Sequence, residues 1–153
     1  MTRRLLTLIA AGGSAGLLLG AFAFQYIGGL APCALCLWQR WPHAAAVALG
    51  LLALALPGRV LPLLGALAAT VAAGLGLFHA GVERQWWEGL STCGGGPVAG
   101  VPAADLLDQI LAAPVVRCDE VAWSLAGLSM AGWNAVLSAG LVLVWLAAAR
   151  RSA

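Results

Sequence analysis

Four stretches of this chain carry no charged residue: 5–39, 41–58, 60–82 and 121–149. About 20 predominantly apolar residues are needed to cross the hydrocarbon core of a bilayer as a helix. Inside the bilayer a helix satisfies every backbone N–H and C=O within its own segment, which an open strand cannot do. The runs therefore predict four spans: Leu5 to about Tyr26, about Leu35 to Leu56, Val60 to about Val82, and about Val121 to Leu146. The expected fold class is all-α, an integral membrane four-helix bundle forming a single domain over 1–153, with two outward loops at about 25–41 and 83–120.

Composition agrees with this reading and removes other classes. Of the 153 residues 62% are hydrophobic and 9% charged, against about a quarter charged in a soluble domain. A net charge of +2 without a basic tract excludes a nucleic-acid partner held by phosphate neutralisation. Lysine is absent, which removes Schiff-base chemistry and a phosphate-loop lysine. The remaining reactive inventory is four cysteines, two histidines and eight arginines.

The charges are unevenly placed between the spans. Arg3, Arg4, Arg59, Arg150 and Arg151 fall at the N-terminus, the second junction and the C-terminus with no acid among them, whereas all six acids lie in 83–120. The positive-inside rule puts the arginine-only ends in the cytoplasm and the other two loops outside. Ala21-Phe22-Ala23 after an apolar stretch has the look of a signal-peptide cleavage site. The apolar stretch is longer than the usual 7–15 residues, which favours a span. Cleavage there would still leave the next loop outside.

All four cysteines fall in the outward loops: Cys33 and Cys36 in the first, Cys93 and Cys118 in the second. An even count outside the cytoplasm reads as disulfide chemistry. Cys33-Ala34-Leu35-Cys36 is a C-x-x-C unit, a spacing shared by redox-active dithiols and zinc sites. Zinc calls for two further close ligands, and Cys93 and Cys118 are 25 positions apart, without the usual second knuckle. A structural framework that staples the loops also satisfies the count. A bridge within C-x-x-C, however, closes so short a loop that it removes little chain entropy, which favours a redox role for that pair.

A span beginning only at Pro42 would be too short, so the second helix should start earlier, with Pro32 in its first turn. Cys33, Cys36, Arg40 and His43 then recur at i, i+3, i+7 and i+10 along one face, with a kink expected at Pro42. Arg40 and the helix N-terminus would both lower thiol pKa values; the alternative for Arg40 is snorkelling to headgroups. His43 is read as a packed or hydrogen-bonded residue. His79, about a turn inside the outer end of the third span, is either a functional group or a hydrogen-bonding partner for a neighbouring helix.

In the second loop, Gly94-Gly95-Gly96-Pro97 cannot be regular helix. Ala103 to Ala113 places Leu106, Leu107, Ile110 and Leu111 opposite Asp105, Asp108 and Gln109, a short amphipathic surface helix. Gly12, Gly16 and Gly20 in the first span, and Gly127, Ala131, Ala135 and Ala139 in the fourth, have small-x-x-x-small spacing suited to close helix packing.

Together these features resemble the disulfide bond formation protein B (DsbB) family of bacterial inner membranes, over essentially the whole chain. The most specific piece is Pro32-Cys33-Ala34-Leu35-Cys36-Leu37-Trp38-Gln39-Arg40 joined to Cys93 and Cys118. The resemblance implies a quinone-dependent thiol:disulfide oxidoreductase, with both termini cytoplasmic and the cysteine loops periplasmic. It would reoxidise a periplasmic DsbA-like thioredoxin-fold oxidase, pass the electrons to ubiquinone or menaquinone, and so support protein folding. It implies disulfides Cys33–Cys36 and Cys93–Cys118. Cys93 would form the mixed disulfide with the partner, Cys118 would resolve towards Cys33, and Cys36 would face the quinone. Arg40, His79 and Gln25 match quinone-site positions of the family, while His43 lies outside its pattern and Glu83 replaces a glutamine.

A partner near about −120 mV is too strong an oxidant to be regenerated by an ordinary protein disulfide, and a quinone supplies the missing drive. The competing class is a non-catalytic four-span scaffold or small transporter with stapled loops.

Overall fold

The computed structural model describes residues 1–90 and 116–151. Four helices dominate it: α1 (Arg3–Tyr26), α2 (Ala34–Ala55), α3 (Val60–Glu83) and α4 (Met130–Arg150). α1 packs on α2, α2 on α3, α3 on α4, and α4 returns to α1, closing a four-helix bundle. Cys93 and the expected surface helix over 103–113 lie outside the described residues.

Residue pairings show that neighbours run antiparallel. Arg3 Nη1 donates to Leu56 O at 3.2 Å, joining the start of α1 to the end of α2. Gly65 lies against Trp145 and Gly76 against Ala135, so α3 and α4 pass in opposite senses. Arg3, Arg4, Arg59, Arg150 and Arg151 thus share one end of the bundle and Cys33 and Cys36 the other.

α1, α3 and α4 are each long and apolar enough to cross a membrane. α2 matches them in length, with 22 residues, but carries Gln39, Arg40, Pro42 and His43 in its first half. Gln39, Arg40 and His43 line the site described below. Leu8, Leu19, Leu51, Leu67 and Leu143 are exposed on the outside of the bundle, where acyl chains would cover them. Trp38, Trp41, Trp86 and Trp87, also exposed, cluster near the cysteine end as an interfacial aromatic belt.

The fourth helix departs from expectation. It begins at Met130 rather than near Val121, because Ser124–Leu125 (β1) and Leu128–Ser129 (β2) form an antiparallel hairpin first. Ala126 and Gly127 occupy its two-residue turn with φ of 51° and 78°, the positive-φ pair that matches strand twist. Ser129 then caps α4, its hydroxyl accepting from Gly132 N at 3.1 Å. α2 also starts differently: Pro32 lies outside the helix and Cys33 is the cap. The helix continues through Pro42 without a break.

Close packing uses other glycines than the spacing suggested. A Cβ on Gly76 would stand 2.8 Å from Ala135 N and 3.0 Å from Ala131 O, and one on Gly65 2.7 Å from the Trp145 indole. Gly12, Gly16 and Gly20 have nothing within 4 Å of that position. Trp145 is fully buried with Ala10, Ala11, Ala66 and Ala69 in the core at the arginine end.

Candidate active site

The site grows from the start of α2. Cys33 has extended backbone, and its sulfur accepts from Cys36 N at 3.2 Å, a helix cap made by a thiol. The i, i+3 spacing brings the second sulfur over the first, with Sγ atoms 2.6 Å apart. Both residues are free cysteines, Cys33 buried and Cys36 half-buried. The Cys33 thiol is pushed above the ordinary thiol range, first by its hydrogen bond with Cys36 and then by burial. The proton of the reduced pair is therefore held on Cys33.

A chain of buried polar side chains leads away from this dithiol. His79 Nε2 lies 3.6 Å from Cys33 Sγ and 3.2 Å from Cys118 O. Gln39 Nε2 lies 2.8 Å from His79 Nδ1, Asn134 Nδ2 donates to Gln39 Oε1 at 2.6 Å, and His43 Nε2 lies 2.8 Å from Asn134 Oδ1.

Backbone carbonyls, which can only accept, fix the direction of every bond in the chain. Gln39 Nε2 also donates to Leu35 O and Asn134 Nδ2 to Ala72 O, which sets both amide orientations. His79 Nδ1 must then accept from Gln39, and its Nε2 carries the hydrogen donated to Cys118 O. His43 likewise donates from Nε2 to Asn134 Oδ1, leaving Nδ1 bare, buried and without a partner. His79 is thus held in its neutral form as the Nε2–H tautomer, and the neutral form of His43 that matches its bond to Asn134 is the same tautomer.

The dithiol and this chain open on a cavity of about 390 Å³ between α1, α2 and α4. Cys33, Cys36, Arg40, His43, His79 and Glu83 line it, among apolar side chains such as Leu17, Phe24, Trp133 and Leu137. Gly16 and Gly20 lie on its wall, where side chains would take up its volume. The Arg40 guanidinium stands 4.8 Å from the centre of the Phe22 ring, and its Nε is buried without a partner. Among the described residues the ion pairs are those of Arg117 with Asp119 and Glu120, and none involves Arg40. Glu83 accepts a hydrogen bond from the Ser129 hydroxyl.

Cys33, Cys36, Arg40 and His79, singled out from the sequence, thus meet on one cavity. Gln25 does not line it, although its Oε1 is buried and unpartnered. Cys118 adjoins the site through its carbonyl and is disulfide-bonded. Gln39 and Asn134 were not singled out. Asn134 is the only asparagine of the chain and sits inside the charge-free run 121–149. A lone amide within a span needs a partner on a neighbouring helix, and that signal was available.

The Cys33, Cys36 and His79 donor atoms all lie within 4.8 Å of one another, a set a thiophilic metal can use. For His79 to act as a ligand there, Nε2 would have to lose its proton and its bond to Cys118 O.

The family model described as "Disulfide bond formation protein DsbB" matches residues 3–148. Among similar proteins, Disulfide bond formation protein B of Shewanella sp. (strain MR-4) is 33% identical, covering 91% of this chain and 82% of its own. The Marinobacter nauticus protein of that name is 36% identical over 86% and 83%, and Disulfide bond formation protein B 2 of Pseudomonas aeruginosa 34% over 90% and 88%. No solved structure gives a significant match.

Proposed function

The chain belongs to the DsbB family of disulfide bond formation proteins, and from that premise we propose that it is a quinone-dependent thiol:disulfide oxidoreductase serving a DsbA-like thioredoxin-fold oxidase. Its place in disulfide bond formation follows from the family; the acceptor and the partner are our reading. The observation that carries the reading is a free dithiol sharing an apolar cavity with Arg40, whose Nε has no partner.

The cavity fits a quinone ring. Its volume is in the range of small-molecule sites, and its wall is apolar with a few converging polar groups. Arg40 offers an N–H and a fixed charge, Cys36 a sulfur, and His79 lies behind Cys33. A bound quinone supplies a two-electron, two-proton acceptor. Arg40 stabilises negative charge developing beside Cys36, and Cys33 retains the proton until it attacks or is attacked.

Electrons enter from the second loop. The reduced partner attacks the Cys93–Cys118 disulfide at Cys93, giving a mixed disulfide and a Cys118 thiolate. The partner's second thiol displaces Cys93 and leaves oxidised. Cys118 attacks the Cys33–Cys36 disulfide at Cys33, and Cys93 then displaces Cys33, restoring the loop disulfide and leaving Cys33 and Cys36 reduced. Cys33 and Cys36 pack in one cluster with the disulfide-bonded Cys118, which supports exchange between the two pairs. The proximity of Cys118 O to His79, and of His79 to Cys33, supports transfer between the pairs.

In this reading the arginine end faces the cytoplasm with both termini, and the cysteine loops face the periplasm across the bacterial inner membrane. Purified protein given decylubiquinone should oxidise a reduced thioredoxin-fold oxidase catalytically. Full turnover by a Cys36→Ala variant would overturn the route.

A further inference from the structure

His43 is a buried nitrogen acceptor that the reaction above leaves without a role. It is 4% exposed, on the cavity wall, one helical turn beyond Arg40, and its Nδ1 has no partner. In the neutral ring Nδ1 has no hydrogen to offer, because the single N–H is on Nε2 and is donated to Asn134 Oδ1. Asn134 is itself held by Gln39 Oε1, Ala72 O and the Ser138 hydroxyl, which donates to Oδ1 at 3.3 Å. Rotating the amide would set its oxygen against the Ala72 carbonyl. The bare Nδ1 is thus a fixed property of the bundle.

A buried acceptor is stabilised by a donor and repelled by another acceptor. A quinone offers only carbonyl lone pairs. Oxidising the dithiol to a disulfide releases two electrons and two protons, and on the quinone they convert both carbonyls into hydroxyls. The two forms of the ring therefore present opposite hydrogen-bonding character to His43. Arg40 does not distinguish them in this way, since carbonyl and hydroxyl oxygens both accept from its Nε–H.

We propose that His43 Nδ1 accepts a hydrogen bond from a hydroxyl of the reduced quinone, making His43 the residue that favours hydroquinone over quinone in this cavity. The assignment rests on the quinone reading. Its effect is to raise the potential of the bound acceptor and so to draw electrons from Cys33 and Cys36. Asn134 and Gln39 act as positioning residues, through the tautomer they impose.

The test measures binding in the full-length chain with Cys33→Ser and Cys36→Ser, so that neither ligand form is turned over. Decylubiquinone and decylubiquinol are titrated separately. His43→Leu should lower the preference for the quinol about tenfold, equivalent to about 30 mV for a two-electron couple. His43→Gln, which keeps a donor for Asn134 and an acceptor for the cavity, should recover most of it. In the chain retaining His43, the ¹⁵N resonance of Nδ1 should move on adding decylubiquinol and stay in place with decylubiquinone, a readout independent of how the Leu variant folds. An unchanged preference in His43→Leu, or an Nδ1 resonance indifferent to the quinol, would overturn the role of His43 while leaving the quinone reading standing. Failure of both ligand forms to bind would overturn the quinone reading, and this assignment with it.

Discussion

Gln39 donates to His79 Nδ1 at 2.8 Å, and this bond decides which imidazole nitrogen faces Cys33. With Nδ1 occupied as an acceptor, the hydrogen stays on Nε2, between Cys33 Sγ and Cys118 O. A leucine at position 39 would fill similar space but leave His79 Nδ1 unpaired and remove the acceptor of Asn134. Gln39→Leu should therefore lose about 1–3 kcal/mol of stability, the usual cost of a buried group left unsatisfied. Denaturant unfolding in detergent measures the loss, and ¹⁵N spectra should show His79 no longer confined to one tautomer. Unchanged stability together with an unchanged tautomer would refute the bond's role.

Helix packing gives a second expectation, with an internal control. At Gly76 the neighbours are backbone atoms of α4, which cannot rotate away as a side chain can. Gly76→Ala should force α3 and α4 apart and cost about 1–3 kcal/mol, as overpacking does. Gly12→Ala enters open space and should be neutral, or stabilising by up to about 1 kcal/mol from helix propensity. Thermal unfolding of the two variants side by side separates the cases.

The contrast between those glycines shows where sequence pattern stops being informative. Gly12, Gly16 and Gly20 have the spacing of a packing seam, but which face of α1 meets a neighbour depends on the rotation of the whole helix, and Gly16 and Gly20 turn towards the cavity. The four long helices and the Cys33, Cys36, Arg40 face were legible because bilayer thickness and the 3.6-residue period are strong local constraints. The hairpin before α4 was not, since Val121 to Leu128 is as apolar and uncharged as a span. Its turn depends on positive φ at Ala126 and Gly127, a choice that alanine does not advertise. The polar chain through Gln39 and Asn134 escaped because its members are 95 residues apart and meet only when the bundle closes.

The reactivity of the two free thiols should differ sharply. Cys33 is buried, and its proton is retained above the ordinary thiol range by the hydrogen bond with Cys36 and by burial. A raised pKa means that raising the pH through about 8.5, where free cysteine ionises, leaves Cys33 protonated. Iodoacetamide should therefore label Cys36 in the reduced protein and spare Cys33 throughout pH 7–9 at about room temperature. Mass spectrometry of the labelled peptides reads the ratio, and preferential labelling of Cys33 would contradict the proton assignment.

Arg40 separates charge from shape. It makes no ion pair among the described residues, so replacing it should change stability little beyond its contact with Phe22. If its charge and Nε–H act on the acceptor, Arg40→Met should reduce kcat/KM for decylubiquinone by roughly 10²- to 10³-fold, the range for removing one preorganised donor at a site of developing charge. Arg40→Lys restores a charge but not the planar donor and should recover only part of the loss. Exchange between the reduced partner and the loop cysteines should be unaffected in both, because Arg40 lines the cavity at the other dithiol. Stopped-flow measurement of that first exchange, alongside steady-state turnover, distinguishes a cavity role from general damage. Loss of both steps would point to misfolding, and loss of neither would remove Arg40 from the site.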